Sequence, residues 1–173
     1  WNGKILYLKS LSSLKDNQGN VFASHIGYQS TRWNWRIQQE YISGDYTAEV
    51  GFIPRKNYFK LQAKGGHLVF TKKETKLLSH GPSITQTYFF NTEWDNKDQL
   101  TSLKYLFNFK NRSRLTIGFQ NQFIKLISDF DPLRTGIEIL KADTGHRWNS
   151  YNISYDAKPQ NRFTYSLETT TGG

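Results

Sequence analysis

The stretch Leu103-Lys104-Tyr105-Leu106-Phe107-Asn108-Phe109-Lys110-Asn111-Arg112-Ser113-Arg114-Leu115-Thr116-Ile117-Gly118-Phe119-Gln120-Asn121-Gln122-Phe123 decides the fold class. Leu103, Tyr105, Phe107 and Phe109 alternate with Lys104, Asn108 and Lys110. After a short polar break, Leu115, Ile117, Phe119 and Phe123 alternate with Thr116, Gly118, Gln120 and Gln122. A period of two puts the two sets on opposite faces of an extended chain, which is the pattern of a strand with one apolar and one polar face. Two such runs joined by Lys110–Arg114 form an antiparallel hairpin.

The same period recurs outward from this hairpin. Trp33, Trp35, Ile37 and Tyr41 oppose Asn34, Arg36, Gln38 and Glu40, and Phe163, Tyr165 and Leu167 oppose Thr164, Ser166 and Glu168. No segment carries a 3.6-residue apolar stripe. The nearest, around 133–140, contains Gly136 and β-branched isoleucines and follows Pro132. The pattern predicts about nine strands, near 3–9, 20–28, 33–42, 60–71, 83–91, 100–109, 115–126, 146–155 and 163–170. Short connections at 29–32, 110–114 and 156–162 alternate with long ones at 43–59 and 127–145. The connection at 72–82 is longer than this alternation favours.

Long antiparallel strands with short turns at one rim and long loops at the other lead to one expectation. The chain is all-β, an antiparallel up-and-down meander, and part of a transmembrane outer-membrane β-barrel. Residues 1–173 form a single segment of about nine strands, with the bilayer and lipopolysaccharide as partners. The rival architecture is a soluble β-sandwich acting as a carbohydrate-binding module.

Composition bounds the function. The 173 residues hold no Cys and no Met, and 23 Lys+Arg against 14 Asp+Glu give a net charge of +9. Without Cys there is no thiol catalysis, disulfide or Cys-bearing metal site. Aromatic residues make up 16% of the chain, too many for a disordered one. No apolar run is long enough for a transmembrane helix, which leaves barrel strands untouched as a possibility. Basic residues are scattered, at Lys72, Lys73 and Lys76, at Lys110, Arg112 and Arg114, and at Arg147, Lys158 and Arg162, and much of this charge lies at the expected turns and loops. There they meet solvent or phosphate headgroups rather than nucleic acid.

The four histidines, His25, His67, His80 and His146, have no short ligand spacing, so no metal or cofactor is expected. Asp129 with Asp131, and Glu93 with Asp95 and Asp98, read as solvated turns rather than catalytic carboxylates. No catalytic constellation lies within these residues. Trp33 and Trp35, beside Arg32 and Arg36, are candidate interface or ligand aromatics. Sharing a face with Ile37 favours interface anchoring.

The segment Glu49-Val50-Gly51-Phe52-Ile53-Pro54-Arg55-Lys56-Asn57-Tyr58 resembles a motif of a Bacteroidota outer-membrane family. In that family a carbohydrate-binding family-nine-like domain precedes a β-barrel domain of unknown function. The family's typical form is Pro-Glu-Val-Gly-Phe-Val-Pro-Arg-x-Asp-Tyr. Here Ala48 stands for its first Pro and Asn57 for its Asp. Phe22–Tyr28, His146–Ser150 and Thr170–Gly173 are similar to further stretches of that family. The resemblance implies an internal piece of a longer barrel in a glycan-related system. Further strands of the parent chain or another outer-membrane protein would then complete it. Within the motif, Gly51 and Pro54 would set a bend, and Glu49 and Arg55 could pair. With Phe52 and Tyr58 they would order one barrel rim.

Overall fold

The structure, a computed structural model, describes residues 1–10, 18–47, 56–132, 134–136, 139–157 and 163–173. It contains β1 (Asn2–Ser10), β2 (Gly19–Gln29), β3 (Trp33–Ile42), β4 (Tyr58–His67) and β5 (Val69–Phe70). These are followed by β6 (Leu77–Phe90), β7 (Asn96–Phe109), β8 (Arg114–Lys125), β9 (Gly145–Ala157) and β10 (Tyr165–Gly172). All belong to one sheet in the order β1-β2-β3-β4-β6-β7-β8-β9-β10, with β5 against β6. Every pairing is antiparallel. The sheet is not closed, since β1 and β10 do not pair with each other. A sandwich needs a second sheet to pack against, and the described residues supply none.

The strand count and one boundary differ from the sequence expectation. The run at 60–71 is broken at Leu68 into β4 and β5. The two still share one register on β6, Gly66 facing Ser83 and Val69 facing His80. Opposite the break sits Pro82, which has no N–H to donate to the ladder. The Leu68 N–H turns instead to the Arg32 carbonyl, at 2.7 Å. Next to Pro82, Gly81 lies so close that a Cβ there would fall 1.8 Å from the His67 carbonyl oxygen. The expected long connection at 72–82 is also corrected: β6 begins at Leu77, leaving a turn at 71–76. One rim therefore carries the connections 30–32, 71–76, 110–113 and 158–164. The other carries 11–18, 43–57, 91–95 and 126–144.

Local chemistry fixes the short turns. In 30–32, Ser30 bonds the backbone of Trp33 through both its N–H and its hydroxyl. In 110–113, Arg112 takes φ 67°, and Asn111 Oδ1 accepts from the Ser113 N–H and hydroxyl. This is an Asx-type turn, which replaces ladder bonds the chain gives up in reversing.

Register sorts the side chains into two faces. Leu103 faces Phe119, Tyr105 faces Ile117 and Phe107 faces Leu115, so the six residues share one face, as their alternation indicated. Thr116, Gln120 and Gln122 occupy the other. The apolar face is the exposed one. Along β9, the odd-numbered residues 145–153 are exposed and the even-numbered ones half-buried. Among the described residues the buried polar side chains are Ser79, Thr87, Ser102 and Ser113, and the buried hydrophobic ones only Val21 and Tyr58. Ser79, Thr87 and Ser102 lie on the polar face.

The sheet curls around that polar face. One cavity of about 550 Å³ is lined by Asn2 of β1 and by Arg114 of β8. Those strands are six pairings apart, roughly 29 Å in a flat sheet at ~4.8 Å per strand. Only a strongly curled sheet brings both to one cavity.

Candidate functional site

The exposed face has an internal order. Each of the nine long strands places at least one aliphatic residue there: Ile5, Ile26, Ile37, Leu61, Ile84, Leu103, Ile117, Ile153 and Leu167, with Leu115 beside Ile117 on β8 and Ala63 beside Leu61 on β4. The exposure of the first nine runs from 36% at Leu61 to 76% at Ile5, so none of them is a core residue. They do not lie on one pairing row. Following partners from Ile5 leads through Ser24, Gln39, Leu61, Tyr88 and Gln99 to Phe123. Phe123 is six residues beyond Ile117 after six pairings, a drift of one residue per strand. The drift continues past Ile117. Ile153 lies directly opposite it, and Leu167 lies two residues from the Ile153 partner Thr169. Leu61 departs from the line by two or three residues, and Ala63 lies closer to it. With ~3.3 Å rise per residue and ~4.8 Å between strands, one residue per strand is an angle of about 35°.

Aromatic side chains flank this line on the same face. Toward the short-turn rim are Trp1, Tyr28, Trp33, Trp35, Phe107 and Tyr155. Trp1 packs on Tyr28 and Trp35 at 5.4 and 5.3 Å. Trp33 stands over His67 at 4.1 Å, and His80 Nδ1 lies 2.6 Å from the Tyr105 hydroxyl. Toward the long-loop rim are Tyr41, Phe59, Tyr88, Phe90 and Phe123, with Trp94 packed on Phe59 and Phe90. Trp33 and Trp35 thus take the face and the strand end that the sequence assigned them. They border a groove of about 670 Å³ floored by Gly65 and walled by Ile84, Leu103, Ile117 and Phe119. Polar residues on this face pair with one another across strands. Gln39 donates to Ser24 at 3.0 Å, Thr101 to Gln86 at 2.6 Å and Asn121 to Asn149 at 2.7 Å.

The polar face carries a feature that sequence reasoning missed. Basic residues are not confined to turns. Lys4, Arg36, Lys64 and Lys104 all point to the polar face from the middle of their strands. Lys4, Arg36 and Lys104 are chain neighbours of Ile5, Ile37 and Leu103 on the aliphatic line, and Lys64 is next to Ala63. They therefore lie at the same height, on the other side of the wall. Arg36 faces Lys64 directly, Lys104 faces Ser83 and Gly118, and Lys4 faces His25. Among the described residues none of the four has an ion pair. Other cations on this face do have a carboxylate opposite, Glu40 for Lys60 and Asp156 for Arg114. The 550 Å³ cavity holds Arg36, Lys64 and Arg114, and among the described residues no Asp or Glu lines it. Arg114 Nε donates to Asn108, and Asn108 donates to Ser79.

The remaining candidates take structural roles. Tyr58 is buried at the start of β4; its hydroxyl donates to Glu40 and its ring packs on Phe89 at 5.6 Å. Glu49, Gly51, Phe52, Pro54 and Arg55 lie outside the described residues. Asp129 accepts from the Ala142 N–H at 2.8 Å and from Lys141 at 3.0 Å, which holds its carboxyl below the usual value. Asp131 accepts from the Gly136 N–H at 2.6 Å. Both carboxylates cap turns within 126–144. Asn91 likewise accepts from the Glu93 and Asp95 N–H groups, and Asp95 lies 3.7 Å from Lys97. Among the described residues no three His, Cys, Asp or Glu side chains gather as metal ligands.

Comparison with protein families, curated proteins and solved structures finds no match to this chain.

Proposed function

We propose that this chain is part of the wall of an outer-membrane β-barrel, with its apolar face in lipid and its polar face toward the lumen. The observation that carries the reading is the oblique aliphatic line. A membrane is a horizontal slab, and barrel strands cross it at ~35–45°. A lipid-facing band must then drift along the strands by about one residue per pairing, which is the drift from Ile5 to Leu167. A core packed between two sheets has no such requirement.

Three further features support the reading. Trp33 and Tyr41 bracket the line on β3 eight residues apart. At ~3.3 Å per residue and a tilt of about 35° that is about 22 Å, close to the ~25 Å apolar band between aromatic girdles. Three pairs of outward polar residues, Gln39 with Ser24, Thr101 with Gln86 and Asn121 with Asn149, hydrogen-bond across strands, which lowers the cost of holding them away from water. The outer edges of β1 and β10 are free of partners in the sheet. In lipid an open edge costs several kcal/mol per unmade bond, so further strands would close the wall there. The resemblance to the Bacteroidota family supports a bacterial outer membrane as the setting, with lipopolysaccharide around the wall and glycan-related passage, anchoring or docking as its work.

The test is insertion. Incubated with phosphatidylcholine vesicles, the protein should float with them and resist carbonate extraction. Brominated acyl chains should quench Trp33 and Trp35 fluorescence. A monodisperse, cooperatively melting monomer in aqueous buffer that ignores vesicles would refute the reading.

A further inference from the structure

We infer that Lys4, Arg36, Lys64 and Lys104 form an anion-selective belt on the lumen side of the wall at mid-membrane height. This rests on the barrel reading and adds what the wall admits. Rings of Arg and Lys are how pores favour anions.

The four cations come from β1, β3, β4 and β7 and share the height of the aliphatic line. Directly opposed like charges such as Arg36 and Lys64 destabilise a sheet. Among the described residues no carboxylate stands opposite either of them. The carboxylates Glu40 and Asp156 stand opposite Lys60 and Arg114, and Glu40 also lines one cavity with Lys4, so the uncompensated pair is Arg36 and Lys64. Arg36 and Lys64 line a cavity that no carboxylate lines among the described residues, so those residues give it a positive field. A mobile anion is the counter-charge that such a site accepts.

Planar-bilayer recording of the full-length protein under a KCl gradient tests this. The wild type should give a reversal potential favouring Cl⁻ over K⁺ several-fold near ~0.1 M salt. The preference should fade near ~1 M, where the Debye length falls to ~3 Å. The triple variant R36Q/K64Q/K104Q should bring the permeability ratio close to one. The variant K72Q/K73Q/K76Q removes equal charge from the turn at 71–76 and should keep the wild-type ratio. An unchanged ratio in the first variant, or an equal loss in the second, overturns the belt. A protein that inserts into vesicles yet conducts nothing overturns the belt and leaves the wall standing. One that never inserts overturns both. Should the triple variant fail to insert, R36Q and K104Q singly carry the test, each expected to give a partial shift.

Discussion

Placing arginine at Ile37 and at Asn121 in turn separates a tilted wall from an untilted one. The two positions share a single pairing row, through Ala63, Gln86 and Thr101. If the apolar band followed the rows, both would sit at one depth and both arginines would cost the same. On the oblique line they differ. Ile37 is on it, whereas Asn121 is four residues from Ile117 along β8. At ~3.3 Å per residue and about 35° of tilt, that puts Asn121 about 11 Å from the band's centre, near its edge. Arginine on a barrel's lipid face costs ~2–4 kcal/mol at the midplane and ~0–1 near the interface. Ile37→Arg and Ile117→Arg should therefore each cost about 2–4 kcal/mol, and Asn121→Arg no more than ~1 from lipid. The Asn121–Asn149 bond adds about 0.5–1.5 kcal/mol to the last, which Asn121→Ala measures separately. The assay is guanidinium unfolding from phosphatidylcholine vesicles, followed by tryptophan fluorescence. Equal costs at Ile37 and Asn121 would refute the tilt, and near-zero cost at both Ile37 and Ile117 would refute the lipid contact.

Three other outcomes are expected. Gly81→Ala should destabilise by roughly 1–3 kcal/mol in the same assay, because its methyl group must displace the His67 carbonyl; a neutral result would mean that β4 and β5 do not pass so close. Arg36→Gln should stabilise the wall by roughly 0.2–1 kcal/mol by relieving the repulsion with Lys64, and a loss of stability would reveal a counter-charge. Asp129 is held below its ordinary pKa by the Ala142 N–H and then by Lys141, so its ionised form favours the ordered connection 126–144. That contribution is present above the ordinary carboxyl value of 3.8 and lost as the pH falls through the lowered one. Protease sensitivity of this connection should rise only below that range in wild type, and Asp129→Asn should raise it at neutral pH.

The sheet was legible because alternation is a local signal. Trp33 to Tyr41 and Leu115 to Phe123 declare their faces within one strand, and the register of β7 with β8 repeats the expected faces. The break at Leu68 was not legible, because its cause is on another strand. Pro82 and Gly81 were read as part of a connection, and only pairing shows that they oppose His67 and Leu68. The tilt was hidden for the same reason. Each aliphatic residue is visible in its own strand, but the drift between Ile5 and Ile117 exists only once six pairings are known.

The basic belt escaped for a different reason. Lys4, Arg36, Lys64 and Lys104 come from four different strands, and no single strand shows that pairing brings them to one height. The pairing that aligns them also shows why belt and aliphatic line are tied together. Lys4, Arg36 and Lys104 each adjoin an aliphatic residue, so one step along the strand crosses the wall. A one-residue slip of β3 would turn Ile37 inward and Arg36 outward, and a slip of β7 would do the same to Leu103 and Lys104. In lipid each exposed cation costs ~2–4 kcal/mol at the midplane, a large part of a typical stability of ~5–15 kcal/mol. On the barrel reading, cations that repel one another on the polar face would therefore penalise every slip by an odd number of residues. Arg36→Gln should accordingly carry a second signature beside its gain in stability: a larger misfolded fraction when the protein refolds into vesicles. Refolding yields unchanged from wild type would show that the aliphatic line sets the register alone.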